Sequence, residues 1–367
     1  MQVLPALESG GVERGTLEVA KYLTLKGHRS IVISAGGRMT AKLRKQGSEH
    51  LPWDIGRKSL WTLRYIPRVR KFLHDNKVDI LHVRSRFPAW ICYLAWRGMD
   101  PATRPRLVTT VHGPYSVNAY SAIMTKGERV IVISEMIKQY VLSRYSVNAD
   151  KLRLIYRGVS SKKNPYGYRP TKKWLEAWYQ DFPQTRDKNI ITLPARITRW
   201  KGQSDFLDVI AKLKQHDPMV HGLIVGETKK GKEVFLSELK IKAQALGIND
   251  HITFTGHRND VRDIMSISKV VMSLSLQPEA FGRTTLEALS LAVPVIAYAH
   301  GGVDEQLAEF LPEGGVPVGD ISAVASLAID WLNKAPIVLK SDKFSLKSML
   351  ENTLSVYMDV LEDNTQP

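Results

Sequence analysis

PEAFGRTTLEALSLAVPVIAYA, residues 278–299, sets two carboxylates and a run of backbone amides around one small space. Glu279 stands in a loop closed by Gly282, and Glu287 follows eight residues later. Between them Thr284, Thr285 and Leu286 open a helix that runs through Ala288, Leu289 and Leu291 until Pro294 stops it. A helix start carries unpaired N–H groups and a partial positive charge, so it attracts an anion such as a diphosphate. Two glutamates touching that anion would repel it. Their chemistry fits hydroxyls instead, one at the loop and one within the helix. A nucleotide sugar has that pattern, with hydroxyls at both ends and phosphates in the middle. The same spacing also suits a capped surface helix whose glutamates face water.

Upstream of this stretch, β-branched runs at 190–193, 222–225, 252–255 and 270–273 alternate with helical patterns, and 295–297 adds another. That is the signature of a doubly wound parallel sheet. Arg196 and Lys201-Gly202 stand past its first strand, on the edge where such sheets bind ligands. Arg grips phosphate through two parallel hydrogen bonds and Lys acts as a point charge. With a helix start they can stabilise a departing diphosphate without a metal, although a pair of surface charges reads the same way. No clustered His, Cys or Asp set suggests a metal site. A nucleobase pocket is expected near Gly226 and Gly256, read by backbone and shape.

The first half repeats the architecture, with strands expected over 3–6, 30–34, 79–83, 107–111, 129–133 and 152–155. After the first, Ser9-Gly10-Gly11 turns into a helix, and two glycines there let backbone approach a phosphate. The spacing is neither a dinucleotide fingerprint nor a P-loop. His112-Gly113 follows the strand at 107–111 and is a site candidate by position. A helix expected over 59–74 has an apolar face of Leu60, Leu63, Ile66, Val69 and Leu73. A second face carries Trp61, Arg64, Arg68 and Lys71. A basic stripe with a Trp suits the headgroup layer of an anionic membrane, and Arg84 and Arg86 extend it; an ordinary solvated face is the alternative.

The chain has 367 residues, 44% hydrophobic and 24% charged, enough for two ordinary soluble domains. Its +16 charge is uneven: residues 1–165 hold 29 Lys and Arg against 11 Asp and Glu, a net +18, and the remainder holds 23 against 25, a net −2. The basic half should face an acidic partner. Nucleic acid is disfavoured because no recognition-helix or single-strand motif appears and the candidate residues gather at strand ends. No apolar run reaches the 18 residues of a membrane span, and no signal peptide is read, although the native start could lie upstream. The single cysteine, Cys92, fits a reducing, cytoplasmic site. Residues 1–160 read as one domain, 161–189 as a linker with a short helix at 172–179, and 190–345 as a second domain. An amphipathic helix in 346–367 could return to the first.

Six motifs in order resemble glycosyltransferase family 4: Gly10-Gly11, His112-Gly113, Ser134-Glu135, Arg196 with Lys201-Gly202, Glu279-x7-Glu287, and Gly301-Gly302-Val303-Asp304-Glu305. The resemblance spans nearly the whole chain. It implies the GT-B fold, two facing Rossmann-like doubly wound domains with a cleft between them. It also implies a retaining hexosyltransferase that uses a nucleotide sugar, a UDP-sugar foremost, with neither cofactor nor metal. By position, Arg196, Lys201, Gly10, Gly11 and the amides from Phe281 to Thr284 would hold the diphosphate. Glu279 would take donor-sugar hydroxyls, Glu287 the ribose and His112 the sugar at its C6 side. The sequence style resembles bacterial members that build cell-envelope glycans, which implies a phosphorylated glycolipid acceptor such as lipopolysaccharide core and a peripheral place on the inner membrane. A soluble sugar-phosphate acceptor, or a non-enzymatic basic nucleic-acid-binding protein, are the alternatives. Where members often have Asn-Gly, this chain has Arg157-Gly158.

Overall fold

The computed structural model describes residues 1–8, 10–228, 231 and 233–362; Ser9 of the glycine turn and the last five positions of the tail segment lie outside the described residues. The chain divides into two compact units, Met1–Gly158 with Leu346–Pro367, and Val159–Ser345. Among the described residues the first unit holds seven strands: β1 (Gln2–Val3), β2 (Ile31–Ser34), β3 (Glu49–Pro52), β4 (Ile80–Val83), β5 (Arg106–Val111), β6 (Arg129–Val132) and β7 (Leu152–Leu154). They pair in the order β3-β2-β1-β4-β5-β6-β7, all parallel. The second unit holds β8 (Asn189–Pro194), β9 (Val220–Val225), β10 (Ile252–Gly256), β11 (Val270–Ser273), β12 (Val295–Tyr298) and β13 (Gly315–Val316), in the order β10-β9-β8-β11-β12-β13. These pairs too are all parallel. Strands such as IVIS and VIAY are buried along their whole length because helices cover both faces.

In each sheet the direction of winding reverses once, between β1 and β4 and between β8 and β11. Side chains just past those strands line the crevice where open sheets take ligands. Gly10 and Arg84 occupy that position in the first unit, Arg196 and Ser275 in the second.

Three expectations are corrected. The helix expected over 59–74 is a 3-10 segment, Leu60–Arg64, followed by an α-helix, Tyr65–Asp75. Pro67 has no N–H to donate, so it is accommodated only in the first turn of a helix, and that fixes the α-helical start at Tyr65. Leu60 and Leu63 therefore leave the expected apolar face and stand 85% and 45% exposed, while Tyr65, Val69 and Leu73 are buried. Arg84, expected on a basic surface, is buried at 3% exposure. The stretch 161–189, expected as a linker, is built into the second unit. Its helix Lys172–Asp181 buries Trp178 against Ile190, Leu223 and Ile264, and the Trp174 ring nitrogen donates to Asp260 at 2.9 Å.

The tail helix runs Leu346–Glu362 and belongs to the first unit. Met349, Val356, Tyr357 and Val360 pack with Val19, Val108, Ile131 and Ile155, covering one face of the first sheet.

Candidate active site

In the second unit the sequence candidates converge at the β8/β11 edge. Lys201 Nζ lies 2.7 Å from Glu279 Oε1, and Ser275 Oγ donates to the same oxygen at 2.6 Å. Both bonds fall on Oε1, so among the described residues Oε2 stays open to a ligand hydroxyl. The approach that allows this is tight. Gly202 caps the helix Gln203–His216 at φ +75°, and a Cβ there would overlap the Leu274 carbonyl. Burial lowers the pKa of Lys201, Glu279 raises it in opposition, and the nearby Arg196 lowers it again. Arg196 itself is exposed.

The Glu279 loop is clamped from behind. The Gly302 amide donates to the Glu279 carbonyl at 2.8 Å, His300 Nε2 lies 2.6 Å from the Ser275 carbonyl, and Gln306 Nε2 donates to the Phe281 carbonyl. A Cβ on Gly302 would stand 2.5 Å from Phe281 Cα, so glycine is needed for this contact. Gly282 (φ +80°) then caps the helix Arg283–Ser290, whose first amides have no acceptor one turn back. Phe281 is buried beside Phe344, so its contribution to a ligand is limited to backbone. Arg283 Nε donates to Glu287 Oε1 at 3.1 Å, one turn apart on the helix. The Gly226 amide donates to the Gly256 carbonyl at 3.0 Å, joining the two glycines expected at the nucleobase. Beside them His257, Arg258, Asn259 and Asp260 line a surface hollow, a group the sequence reading did not single out.

In the first unit Gly10 caps the helix Gly11–Leu25 and makes no side-chain cap bond of its own. The Glu13 carboxylate lies beside Gly10, where a Cβ would stand 2.6 Å from Oε2, so any phosphate here would meet that carboxylate. Burial raises the Glu13 pKa, with a backbone hydrogen bond and Arg157 working against it. His112, at the end of β5, has Nδ1 2.9 Å from Arg157 Nη2, and its amide donates to the Tyr115 hydroxyl at 3.2 Å. Burial, then Arg157, Arg84 and His82, hold the His112 pKa well below the usual imidazole range. Arg157 was read from the sequence only as a departure from Asn-Gly. Its place at the end of the last strand of the unit was the available signal.

The basic and aromatic candidates separate. Trp61 is 77% exposed beside Leu60, and Arg64 is exposed next to them. Arg68 stacks on the Trp53 ring at 4.3 Å, and Lys71 pairs with Asp75 at 2.6 Å. Arg86 donates to Ser121 Oγ at 3.0 Å and stacks on Tyr115. Arg84 is removed from any surface, and burial lowers its pKa while Tyr357 and Glu18 raise it in opposition. Among the described residues no group of three or more His, Cys, Asp or Glu could hold a metal ion, and no helix is long and apolar enough to cross a membrane.

Two Rossmann-like units of wholly parallel strands, with polar residues gathered at their switch-point edges, define the GT-B class of architecture. Residues 9–163 match the family described as Glycosyltransferase Family 4, and residues 176–343 match Glycosyl transferases group 1. A solved glycosyltransferase from Rickettsia africae is 31% identical, covers 98% of this chain and 97% of its own, and superposes with a TM-score of 0.86. The chain belongs to glycosyltransferase family 4. N-acetyl-alpha-D-glucosaminyl L-malate synthase from Bacillus anthracis is 24% identical over 98% of this chain and 96% of its own length. The structure of Anabaena HepE in complex with UDP and glucose shares the fold, at 19% identity, 100% and 96% coverage, and a TM-score of 0.76.

Proposed function

We propose that this glycosyltransferase moves a sugar from a nucleotide sugar, a UDP-sugar foremost, to an anionic envelope glycan or glycolipid such as lipopolysaccharide core. On this reading it retains the anomeric configuration and needs no metal. The observation that carries the donor half is the Ser275–Glu279–Lys201 cluster, in which one carboxylate oxygen is held and the other is open. Lys201 and Arg196 neutralise the leaving diphosphate, and the first amides of the helix Arg283–Ser290 add a partial positive charge where it departs. Glu279 Oε2 accepts from sugar hydroxyls and Glu287 from the ribose. Glu279, bound to an ammonium and a hydroxyl, and Glu287, bound to the Arg283 guanidinium, are weak bases and nucleophiles, so on this reading they are not the two-carboxylate machinery of retaining glycosidases. Instead the departing phosphate oxygen takes the acceptor hydroxyl's proton on the same face of the sugar. His112 meets the transferred sugar as a hydrogen-bonding group. The UDP and glucose found with the similarly folded Anabaena protein are ligands of the chemistry proposed.

The acceptor half rests on charge and exposure. The +18 in residues 1–165 and the exposed Leu60-Trp61 pair suit a phosphorylated glycolipid at an anionic membrane face, with the protein peripheral on the cytoplasmic side of the inner membrane. A thermal-shift screen against UDP, GDP, ADP, CMP and their common sugars, in EDTA, tests the donor half. A ligand at a hundredfold excess over its dissociation constant stabilises by about 2.7 kcal/mol, so one nucleotide should stand out. No shift with any of them, from a cooperatively melting sample, overturns the donor reading; a shift only with divalent ion overturns its metal independence.

A further inference from the structure

We propose that Arg157 is the positioning residue of His112. Its guanidinium fixes the imidazole in the tautomer protonated on Nε2, so that His112 meets substrate as a neutral hydrogen-bond donor and not as a base. The functional half of this rests on the reading that His112 contacts the transferred sugar.

The argument begins with a donor count. Arg157 Nη2 lies 2.9 Å from His112 Nδ1. A guanidinium has five N–H donors, no acceptor, and does not deprotonate in proteins. Nδ1 must therefore accept, and in a neutral imidazole the proton then sits on Nε2. Protonating the ring would put a second hydrogen on Nδ1, pointing at an Arg nitrogen, so the contact excludes the charged form as well. Nε2 is buried and has no hydrogen-bond partner among the described residues. Buried N–H groups are nearly always partnered, so this one calls for an acceptor that the chain does not supply, an ordered water or a ligand. A sugar hydroxyl oxygen is such an acceptor.

The surroundings agree on every side. Arg84, just past β4, opposes a charge on His112 together with Arg157, while the nearby Tyr115 hydroxyl accepts from the His112 amide. The carboxylate of Glu13, on the helix Gly11–Leu25, acts on Arg157. That helix also makes room for the guanidinium. At Gly15 a Cβ would overlap Arg157 Nη1, so a residue unfavourable in a helix interior stands where the arginine head must fit. The guanidinium also lines a small cavity shared with His82, Arg84 and Thr110.

Ring 15N shifts of the histidine-labelled full chain, with His112 assigned by its loss in His112→Gln, test this without substrate. The wild-type ring should show Nδ1 as an acceptor and Nε2 protonated between about pH 5 and 8. Arg157→Leu should give mixed tautomers, and Arg157→Lys should restore the single form. Gly15→Ala, which displaces the guanidinium but keeps its charge, should also mix the tautomers; it serves as the reading if Arg157→Leu does not fold. In turnover, Arg157→Leu and Gly15→Ala should each lower kcat by about tenfold to a hundredfold, and Arg157→Lys should lose less. A proton on Nδ1 in the wild type, or an unchanged His112 spectrum in both variants, overturns the proposal. Near-normal turnover in His112→Ala would remove the sugar contact, and with it the functional half, while the ring shifts still decide whether Arg157 sets the tautomer.

Discussion

One carboxylate favours the charged form of Lys201 inside the second unit, and that dependence can be measured. Burial lowers its pKa and Glu279 opposes the shift. In Glu279→Gln the opposition is gone and the ammonium pKa falls further. Donor binding needs the charged form, which exists below the pKa, so the alkaline limb of kcat/KM should move to lower pH in that variant; an unmoved limb would separate Lys201 from the diphosphate. Lys201→Ala and Glu279→Ala should each cost about a hundredfold to a thousandfold in kcat, the scale of losing one preorganised charge-stabilising group, with cooperative melting retained. Near-normal turnover in either folded variant would remove the central assignment. The linkage sign is consistent with a functional burden. The folded pKa lies below the ordinary 10.5, so between the two the unfolded chain binds more protons and stability rises with pH. Residue types and edges were legible here, since Arg196, Lys201 and Glu279 all follow strand ends. Ser275 and Arg157 were not, because a hydrogen bond across a loop leaves no spacing in the sequence.

The segment Leu60–Arg64 shows how one proline redistributes a surface. A continuous helix over 59–74 would have turned Leu60 and Leu63 inward, but with the α-helix starting at Tyr65 they stand outward beside Trp61. On the peripheral-membrane reading, Leu60 and Trp61 are the inserting pair, Arg64 supplies charge, and Lys71 is spent on Asp75. The double variant Leu60→Ala, Trp61→Ala should lose most co-sedimentation with anionic vesicles at moderate salt, and Lys71→Ala should not. Equal retention of the double variant, or no wild-type binding at all, removes the membrane reading and leaves a soluble phosphorylated acceptor. Among elements, long apolar runs were the readable ones: β2, β5, β8 and β11 lie within a residue or two of expectation. β3, with the sequence EHLP, was missed because it is an edge strand with little apolar face, and β13 because it is only two residues long. The expected linker failed for a related reason. Its charges and prolines mask Trp174, Trp178 and Phe182, which pack into the second unit's core.

At the scale of the whole chain, the amphipathic stripe of the tail was readable, but a stripe does not name the surface it covers. That surface is the first sheet, and the contact includes more than apolar area. His82 Nδ1 meets the Tyr357 hydroxyl at 2.6 Å and Nε2 meets Thr110 Oγ1 at 2.6 Å. Arg84, buried beside them, favours the Tyr357 oxygen electrostatically. Burial holds His82 far below its usual pKa, and the Tyr357 hydroxyl is pushed up to about 12, so neither group changes charge near neutrality. Without the tail the buried His82 loses its Tyr357 partner and Val108, Ile131 and Ile155 lose their cover. Both are large penalties beside a domain stability of about 5–15 kcal/mol. The first unit is thus encoded by the two ends of the chain and can be completed only after the second unit has been synthesised. A chain stopped after residue 345 retains every residue of the second unit and should fold only there. Limited proteolysis should cut readily within 1–158 and spare 159–345, whereas the full chain resists in both. Equal protection of 1–158 in the shortened chain would mean that the first sheet is stable uncovered and that the tail serves some other end.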